Sequence, residues 1–331
     1  MIRTTSSRIH EPPQRRLAFW CVKPLIVLSV VGVTSAQSPK NAGEFYNRGL
    51  QRQEQGDSEG ALADYNQAIL LNPRLAIAYN NRANLKLGKG DLEGAIADYS
   101  KAIELDPRNV ETYFNRGVVR LQKGDHDGAI DDFTIAIKMV PQFAMAYNNR
   151  GNAKKAKGDI DGAVSDYGKA VELNPKSAEG FYNRGTAYQA KGDADAAIRD
   201  YTRALELAPE FIDAFVNRGQ MRQSKRDLDG AIADYNRAIE LKPDAGVYYA
   251  RATVRQSRED WDGALADYSR AIELDPTLAQ AYANRAVIET LTDKKVEASQ
   301  DFEKAFKIQP GLREAFKNFI EKRLNRKMPG I

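Results

Sequence analysis

Asparagine recurs with a period of 34 residues along most of the chain, always directly before an arginine. Its side-chain amide donates and accepts hydrogen bonds, which matches the donors and acceptors of an extended polypeptide backbone. The column therefore predicts the binding of a peptide main chain. The alternative is that the amides pack neighbouring elements against each other. The column comprises Asn47, Asn81, Asn115, Asn149, Asn183, Asn217 and Asn284, and Ala250 interrupts it.

The position before each asparagine is a second candidate for the same surface, because aromatic rings and amides alternate there. Rings would hold side chains of a bound peptide, while amides hold its backbone. We include four residues of this position in the predicted binding surface: Asn80, Phe114, Asn148 and Tyr182.

Side chains that could catalyse by nucleophilic attack or histidine-dependent proton transfer are scarce. The two histidines are His10 and His126, and the single cysteine is Cys21. No serine or cysteine stands in a motif with a histidine base. Four Asp-x-Asp-Gly segments, the first at residues 125–128, lack the twelve-residue loop and closing glutamate of a calcium site. We predict no enzyme activity, no metal site and no cofactor.

Each asparagine-flanked arginine has a matching aspartate sixteen residues later, directly before an aromatic residue. A half-buried arginine without a carboxylate partner is costly, so we predict an Arg–Asp ladder within or between repeats. Ligand contact by the arginines is the alternative. The predicted ladder includes Arg82, Asp98, Arg116, Asp132, Arg150 and Asp166.

Proline marks the end of each unit of this pattern, at Pro73, Pro107, Pro141, Pro175, Pro209, Pro243, Pro276 and Pro310. A fixed period of this length is typical of stacked-repeat proteins. Within a unit, apolar residues follow helical spacing on both sides of a Gly-Asp pair such as Gly90-Asp91. Glycine ends one helix and aspartate caps the next, so each unit is predicted to be two helices.

The residue types that recur at fixed positions of the repeat resemble the pattern of the tetratricopeptide repeat (TPR) family. Tyr79, Ala83, Ala95, Tyr99, Ala102 and Pro107 fit the TPR pattern, and equivalents recur in eight copies. The family's leucine before the small residue is arginine in every copy. The resemblance implies an all-α, right-handed superhelical solenoid whose first helices line a concave groove. The asparagine column is similar to that of protein O-GlcNAc transferases, where it grips peptide main chain. The clamp for chaperone C-termini is missing, because Asn80 and Met145 occupy two of its basic positions.

The chain divides into five segments by composition. Residues 1–36 carry five basic residues, one acidic residue and the apolar run 25–33, which predicts an export signal. An uncleaved membrane anchor and a mitochondrial-type presequence are the alternatives. A short linker at 37–41, eight repeats at 42–311, a capping helix at 312–326 and a tail at 327–331 follow. The excess of basic residues in 1–36 accounts for the net charge of +4, so the repeats give no electrostatic case for nucleic-acid binding.

The sequence therefore predicts a non-catalytic scaffold that binds peptide segments of partner proteins in a TPR groove. We expect an exported protein, periplasmic or secreted, or anchored in the inner membrane, that acts in envelope assembly. A self-associating structural protein and a non-catalytic subunit of an envelope enzyme complex are the alternatives. The partner is a protein or peptide, and a membrane is contacted only through an uncleaved anchor.

Overall fold

The structure is a computed structural model and describes residues 39–324. The predicted export signal at 1–36, the first two residues of the predicted linker, the last two of the predicted capping helix and the tail at 327–331 lie outside the described residues. The compact unit that begins at Asn41 contains seventeen α-helices and, within residues 39–324, no strand. The all-α prediction is confirmed.

Helices alternate between the two members of each repeat, with odd-numbered first helices and even-numbered second helices. Their bounds are α1 Ala42–Glu54, α2 Ser58–Leu71, α3 Ala76–Gly88, α4 Leu92–Leu105, α5 Val110–Lys123, α6 His126–Met139, α7 Ala144–Ala156, α8 Ile160–Leu173, α9 Ala178–Lys191, α10 Ala194–Leu207, α11 Ile212–Ser224, α12 Leu228–Leu241, α13 Ala245–Ser257, α14 Trp261–Leu274, α15 Ala279–Leu291, α16 Lys295–Ile308 and α17 Leu312–Leu324.

An aspartate cap starts the second helix in seven of the eight repeats. Its side chain accepts a hydrogen bond from the backbone N–H three residues on, as Asp91 does from Gly94. In the first five repeats a glycine in the left-handed region ends the first helix, for example Gly90 with φ of +80°. Arg226, Glu259 and Asp293 adopt the same backbone conformation with a side chain, which is strained. The turn at the last three repeats is therefore the least relaxed.

The core of each repeat is a buried ring from the second helix, packed against a small residue of the first helix. The rings are Tyr65, Tyr99, Phe133, Tyr167, Tyr201, Tyr235, Tyr268 and Phe302. A Cβ atom built on Gly117 would lie 2.8 Å from the ring of Phe133, so glycine is what lets the helices approach this closely there.

Neighbouring repeats stack so that their first helices contact one another, as α5 contacts α7 and α7 contacts α9. The first helices therefore form one continuous face of the array. At the C-terminal end, α17 covers the last repeat: its Phe316 and Phe319 rings lie 5.7 and 6.4 Å from that of Phe302. Within residues 39–324, no helix has the length and apolar character needed to cross a membrane.

Candidate functional site

Hydrogen bonds between neighbouring first helices identify the side chains on their shared face. The amide of Asn183 donates to Asn148 Oδ1 at 3.1 Å, 35 residues earlier in the chain. Three more asparagines donate in the same register to a tyrosine hydroxyl: Asn81 to Tyr46, Asn217 to Tyr182 and Asn284 to Tyr249, at 3.0–3.1 Å. The two predicted columns therefore lie side by side, and their hydrogen bonds join successive repeats at four junctions.

The remaining asparagines occupy varied environments. Asn47, in the first repeat, is exposed, whereas Asn149 is buried. Asn115 hydrogen-bonds Glu111, whose pKa is raised by burial. Asn80 is buried and accepts a hydrogen bond from the Thr112 hydroxyl at 3.1 Å. The ring of Phe114 packs 4.8 Å from that of Phe143.

Where alanine interrupts the asparagine column, the residue opposite it in the preceding repeat is also apolar. Ala250, which cannot donate, follows the position of Val216, which cannot accept. Both members of the pair are apolar at this one junction, so no amide there lacks its neighbour. The asparagines thus hold the stack together as well as lining its face.

Two further columns share this face. Gln223 Nε2 donates to Thr253 Oγ1 at 3.4 Å and Lys155 Nζ donates to Thr186 Oγ1 at 2.8 Å, across successive first helices. We call the four columns together the first-helix face. The third column is Leu50, Asn84, Val118, Asn152, Thr186, Gln220, Thr253 and Val287, and the fourth is Gln53, Leu87, Leu121, Lys155, Gln189, Gln223, Gln256 and Thr290.

Buried tyrosines of the core orient amides on this face. The Tyr201 hydroxyl donates to Gln189 Oε1 at 2.6 Å, and the Tyr167 hydroxyl donates to Asn152 Oδ1 at 2.6 Å. Burial raises the pKa of Tyr201, which keeps its hydroxyl protonated as a donor. Because the amide oxygen faces the core donor, the amide N–H groups are turned towards the open side of the face.

The arginines pair with aspartates inside their own repeats. Arg82 donates to Asp98 at 2.8 and 2.6 Å, and the same two-bond pairing joins the arginine to the aspartate in every repeat. Asp98, Asp132 and Asp166 are buried. Hydrogen bonding to Asp166 raises the pKa of Arg150, which stabilises its charged form.

The same arginines make two more contacts. Each lies 5.4–5.8 Å from the ring centre of an aromatic residue one turn earlier, as Arg82 does over Tyr79. Most also reach back to a hydroxyl or amide of the preceding second helix, as Arg116 Nη1 donates to Ser100 Oγ at 3.0 Å. In six repeats the arginine donors are thus taken up by the protein, which argues against ligand contact by the arginines.

A second cation one turn after the arginine binds the same aspartate in six repeats. Arg120 Nη1 lies 2.9 Å from Asp132, and Lys154 Nζ lies 2.8 Å from Asp166. The fifth repeat has Tyr188 at this position and the eighth has Glu289. The Glu289 carboxylate is buried, one of its oxygens has no partner, and its pKa is raised to about 7 by burial and by Asp301.

No three His, Cys, Asp or Glu side chains of the described residues come together in a way that could hold a metal ion. The buried aspartates of the ladder are paired with basic side chains instead, as Asp98 is with Arg82 and Lys86.

Sequence comparison decides the family. TPR repeat profiles match residues 49–90, 87–124, 151–192 and 254–288, and tetratricopeptide repeat profiles match residues 178–211 and 212–244. The chain belongs to the tetratricopeptide repeat family. The TPR resemblance and the solenoid of helix-turn-helix repeats are confirmed. TPR arrays are scaffolds for protein interaction, typically without catalysis, and that is the class of function that membership assigns.

Solved structures show the same fold. YrrB, described as a TPR protein with an unusual peptide-binding site, is 27% identical, with a TM-score of 0.50 over 59% of this chain and 97% of its own. The C-terminal part of a TPR protein from Cytophaga hutchinsonii is 18% identical, with a TM-score of 0.62 over 71% of this chain and 97% of its own. A TPR protein from Parabacteroides merdae is 18% identical, with a TM-score of 0.55 over 80% and 98%. The last two show the fold alone. Comparison with curated proteins found no match.

Sequence reasoning missed three features of this site. The aromatic residue beneath each arginine and the second cation one turn after it recur in register, so aligning the repeats at those positions would have found them. Lys155 was missed because its charge is unusual only in comparison with the uncharged residues of the first-helix face, which the structure identifies.

Proposed function

We propose that this TPR protein is a non-catalytic scaffold that binds an extended peptide segment of a partner protein along its first-helix face. The observation that supports this most is the makeup of that face. Amides, hydroxyls, rings and aliphatic side chains line it without a run of charge, and hydrogen bonds hold several of the amides in register from repeat to repeat. Such a face offers hydrogen bonds to any backbone and selects little by charge.

Preorganisation favours this role. Asn183 is fixed by Asn148, and Gln189 is fixed by the buried Tyr201 hydroxyl. Groups that are already ordered lose less side-chain entropy when a ligand binds, so more of the interaction energy appears as affinity. The Asn183 backbone carbonyl accepts the Thr186 hydroxyl at 2.8 Å, but within residues 39–324 its side-chain Oδ1 accepts no hydrogen bond and is available to a ligand N–H. The YrrB comparison supports a peptide ligand on the same fold.

We further propose that the protein is exported through residues 1–36, cleaved or retained as an anchor, and acts in assembly of the cell envelope. The basic start, the apolar run and the small residues at 34–36 support this. Fractionation of cells that express the tagged chain tests it. A cytosolic product with residues 1–36 intact would reject export.

Peptide selection tests the binding proposal. A phage-displayed library of random peptides is selected on the purified full chain, and the affinity of the enriched peptides is measured by calorimetry. Alanine variants of the asparagines are poor probes, because removing Asn183 also breaks a junction between repeats. Gln220→Trp instead adds bulk to the face at a residue with no hydrogen bond in the described structure.

The matched control is Ala233→Trp, which adds the same bulk to the exposed side of the second helix α12. We expect Gln220→Trp to abolish peptide binding while Ala233→Trp leaves it unchanged, with equal helicity in both variants. Binding that survives in Gln220→Trp and is lost in Ala233→Trp would move the site to the second helices. A library that yields no binding peptide would reject the proposal.

A further inference from the structure

Lys155 is the one charged residue in the four columns of the first-helix face. Its equivalents in the other repeats are glutamine, leucine or threonine, so the repeat pattern does not call for a cation at this position. A residue that departs from the pattern of its own repeats without a structural reason is a candidate for function.

The surroundings of Lys155 give its charge no carboxylate. Within residues 39–324 its ammonium forms one hydrogen bond, to Thr186 Oγ1 at 2.8 Å, and no ion pair. Lysines beside it differ, since Lys154 pairs with Asp166 and Lys157 pairs with Asp127. Burial lowers the pKa of Lys155, as expected of a partly desolvated cation without a counter-ion. An unpaired cation in such a place is a cost to the free protein.

The hydrogen-bond donors next to Lys155 also favour an anionic ligand. Asn152 lies one turn before Lys155 in α7, and its carbonyl oxygen accepts the Tyr167 hydroxyl at 2.6 Å. This fixes the amide so that its N–H groups are turned away from the core, and they have no acceptor among the described residues. An ammonium and an amide donor on adjacent turns suit an anion with two oxygens.

We propose that Lys155 and Asn152 bind a carboxylate of the peptide, and so fix where along the first-helix face the peptide lies. The inference rests on the proposed function. The amide columns offer similar hydrogen-bonding groups in successive repeats, and a single cation breaks that equivalence. The carboxylate belongs either to an Asp or Glu side chain or to the C-terminus of the peptide.

The test selects random peptides displayed with free C-termini on the full chain and on Lys155→Gln. Lys157→Gln is the control, because it removes the same charge from an exposed lysine two residues away. We expect the wild type and Lys157→Gln to enrich a carboxylate at one fixed place, and Lys155→Gln to enrich peptides without that preference. An enriched peptide should bind Lys155→Gln about 10- to 100-fold more weakly, the loss of a hydrogen bond to a charged group.

Two changes to the peptide separate the sources of the carboxylate. Glu→Gln or Asp→Asn weakens a side-chain ligand, whereas two glycines added after the last residue weaken a C-terminal ligand. Equal peptide preferences for the wild type and Lys155→Gln would overturn the proposal. Failure of every protein to enrich peptides would instead reject the peptide-binding function itself.

Thermal melting provides an independent check. Because Lys155 has no ion pair to lose, Lys155→Gln should melt at the same temperature as the wild type or higher. A lower melting temperature would assign Lys155 a structural role and contradict the inference.

Discussion

The Arg184–Asp200 pair gives the cleanest test of the arginine ladder. Arg184 donates two hydrogen bonds of 2.7 Å to Asp200, and Tyr188 occupies the place where six other repeats have a second cation. Residue 168, where most repeats provide an acceptor for the arginine, is glycine. A change to Arg184 or Asp200 therefore perturbs one ion pair and its ring contacts, with few other consequences.

The burial of Arg184 and Asp200 determines how much free energy of unfolding is lost when either side chain is removed. The Asp200 side chain is 7% exposed and that of Arg184 is 22% exposed. Removing one partner of a buried pair costs about 3–5 kcal/mol in the free energy of unfolding, because the other charge stays buried. Asp200→Ala leaves the better hydrated partner and should cost about 3 kcal/mol. Arg184→Leu leaves the less hydrated carboxylate and should cost nearer about 5 kcal/mol.

The double variant Arg184→Leu/Asp200→Ala should lose less than the sum of the two single losses, because no unpaired charge remains. Urea unfolding followed by circular dichroism measures all three, and amide exchange in α9 and α10 reports where the loss occurs. Asp161→Ala is the control: Asp161 also pairs with a basic side chain, Lys191 of the next repeat, at 2.7 Å, but this pair is exposed and should matter little. Additive single losses, or a control as damaging as Asp200→Ala, would refute the reasoning.

Three further changes test other features of the array. In urea unfolding, Gly168→Ser should stabilise the chain more than Gly168→Ala, because serine restores the missing acceptor for Arg184. Alanine has the higher helix propensity, so a more stable Gly168→Ala would contradict this. Because burial raises the pKa of Glu289 to about 7, the folded chain holds that proton more tightly than the unfolded chain, so stability should fall as pH rises from about 5 to 8. Melting curves of Glu289→Gln should lack that fall, and an unchanged pH profile would exclude Glu289 as its source. Glu259→Gly should raise the free energy of unfolding by about 1 kcal/mol by relieving a φ of +61°, and a loss would show that the side chain compensates for the strain.

Much of the fold could be predicted because the residues that cap, end and pack the helices recur from repeat to repeat. A single Gly-Asp pair is weak evidence for a helix junction, but the same pair at one period in the first five repeats identifies the turn, and the remaining repeats follow by their spacing. The ion pairs could be predicted for the same reason: Arg82 and Asp98 recur together in every repeat, and a charge beside a small residue needs a partner.

Side-chain direction could not be predicted from the sequence. The asparagine column allowed two interpretations, ligand binding and packing, and the structure shows that Asn81 and Asn183 do bond the preceding repeat. That contact depends on the rotation between neighbouring repeats, which no single repeat encodes. Lys155 was likewise hidden, because its isolation from carboxylates follows from which residues of α7 and α9 face each other.

The most direct test of the central claim is a crystal structure of the full chain with a peptide enriched in the selection. The account predicts an extended peptide along the first-helix face, with backbone groups about 2.7–3.2 Å from amide or hydroxyl atoms of at least three successive repeats. A peptide bound to the second helices, or held between the ends of two copies, would contradict it.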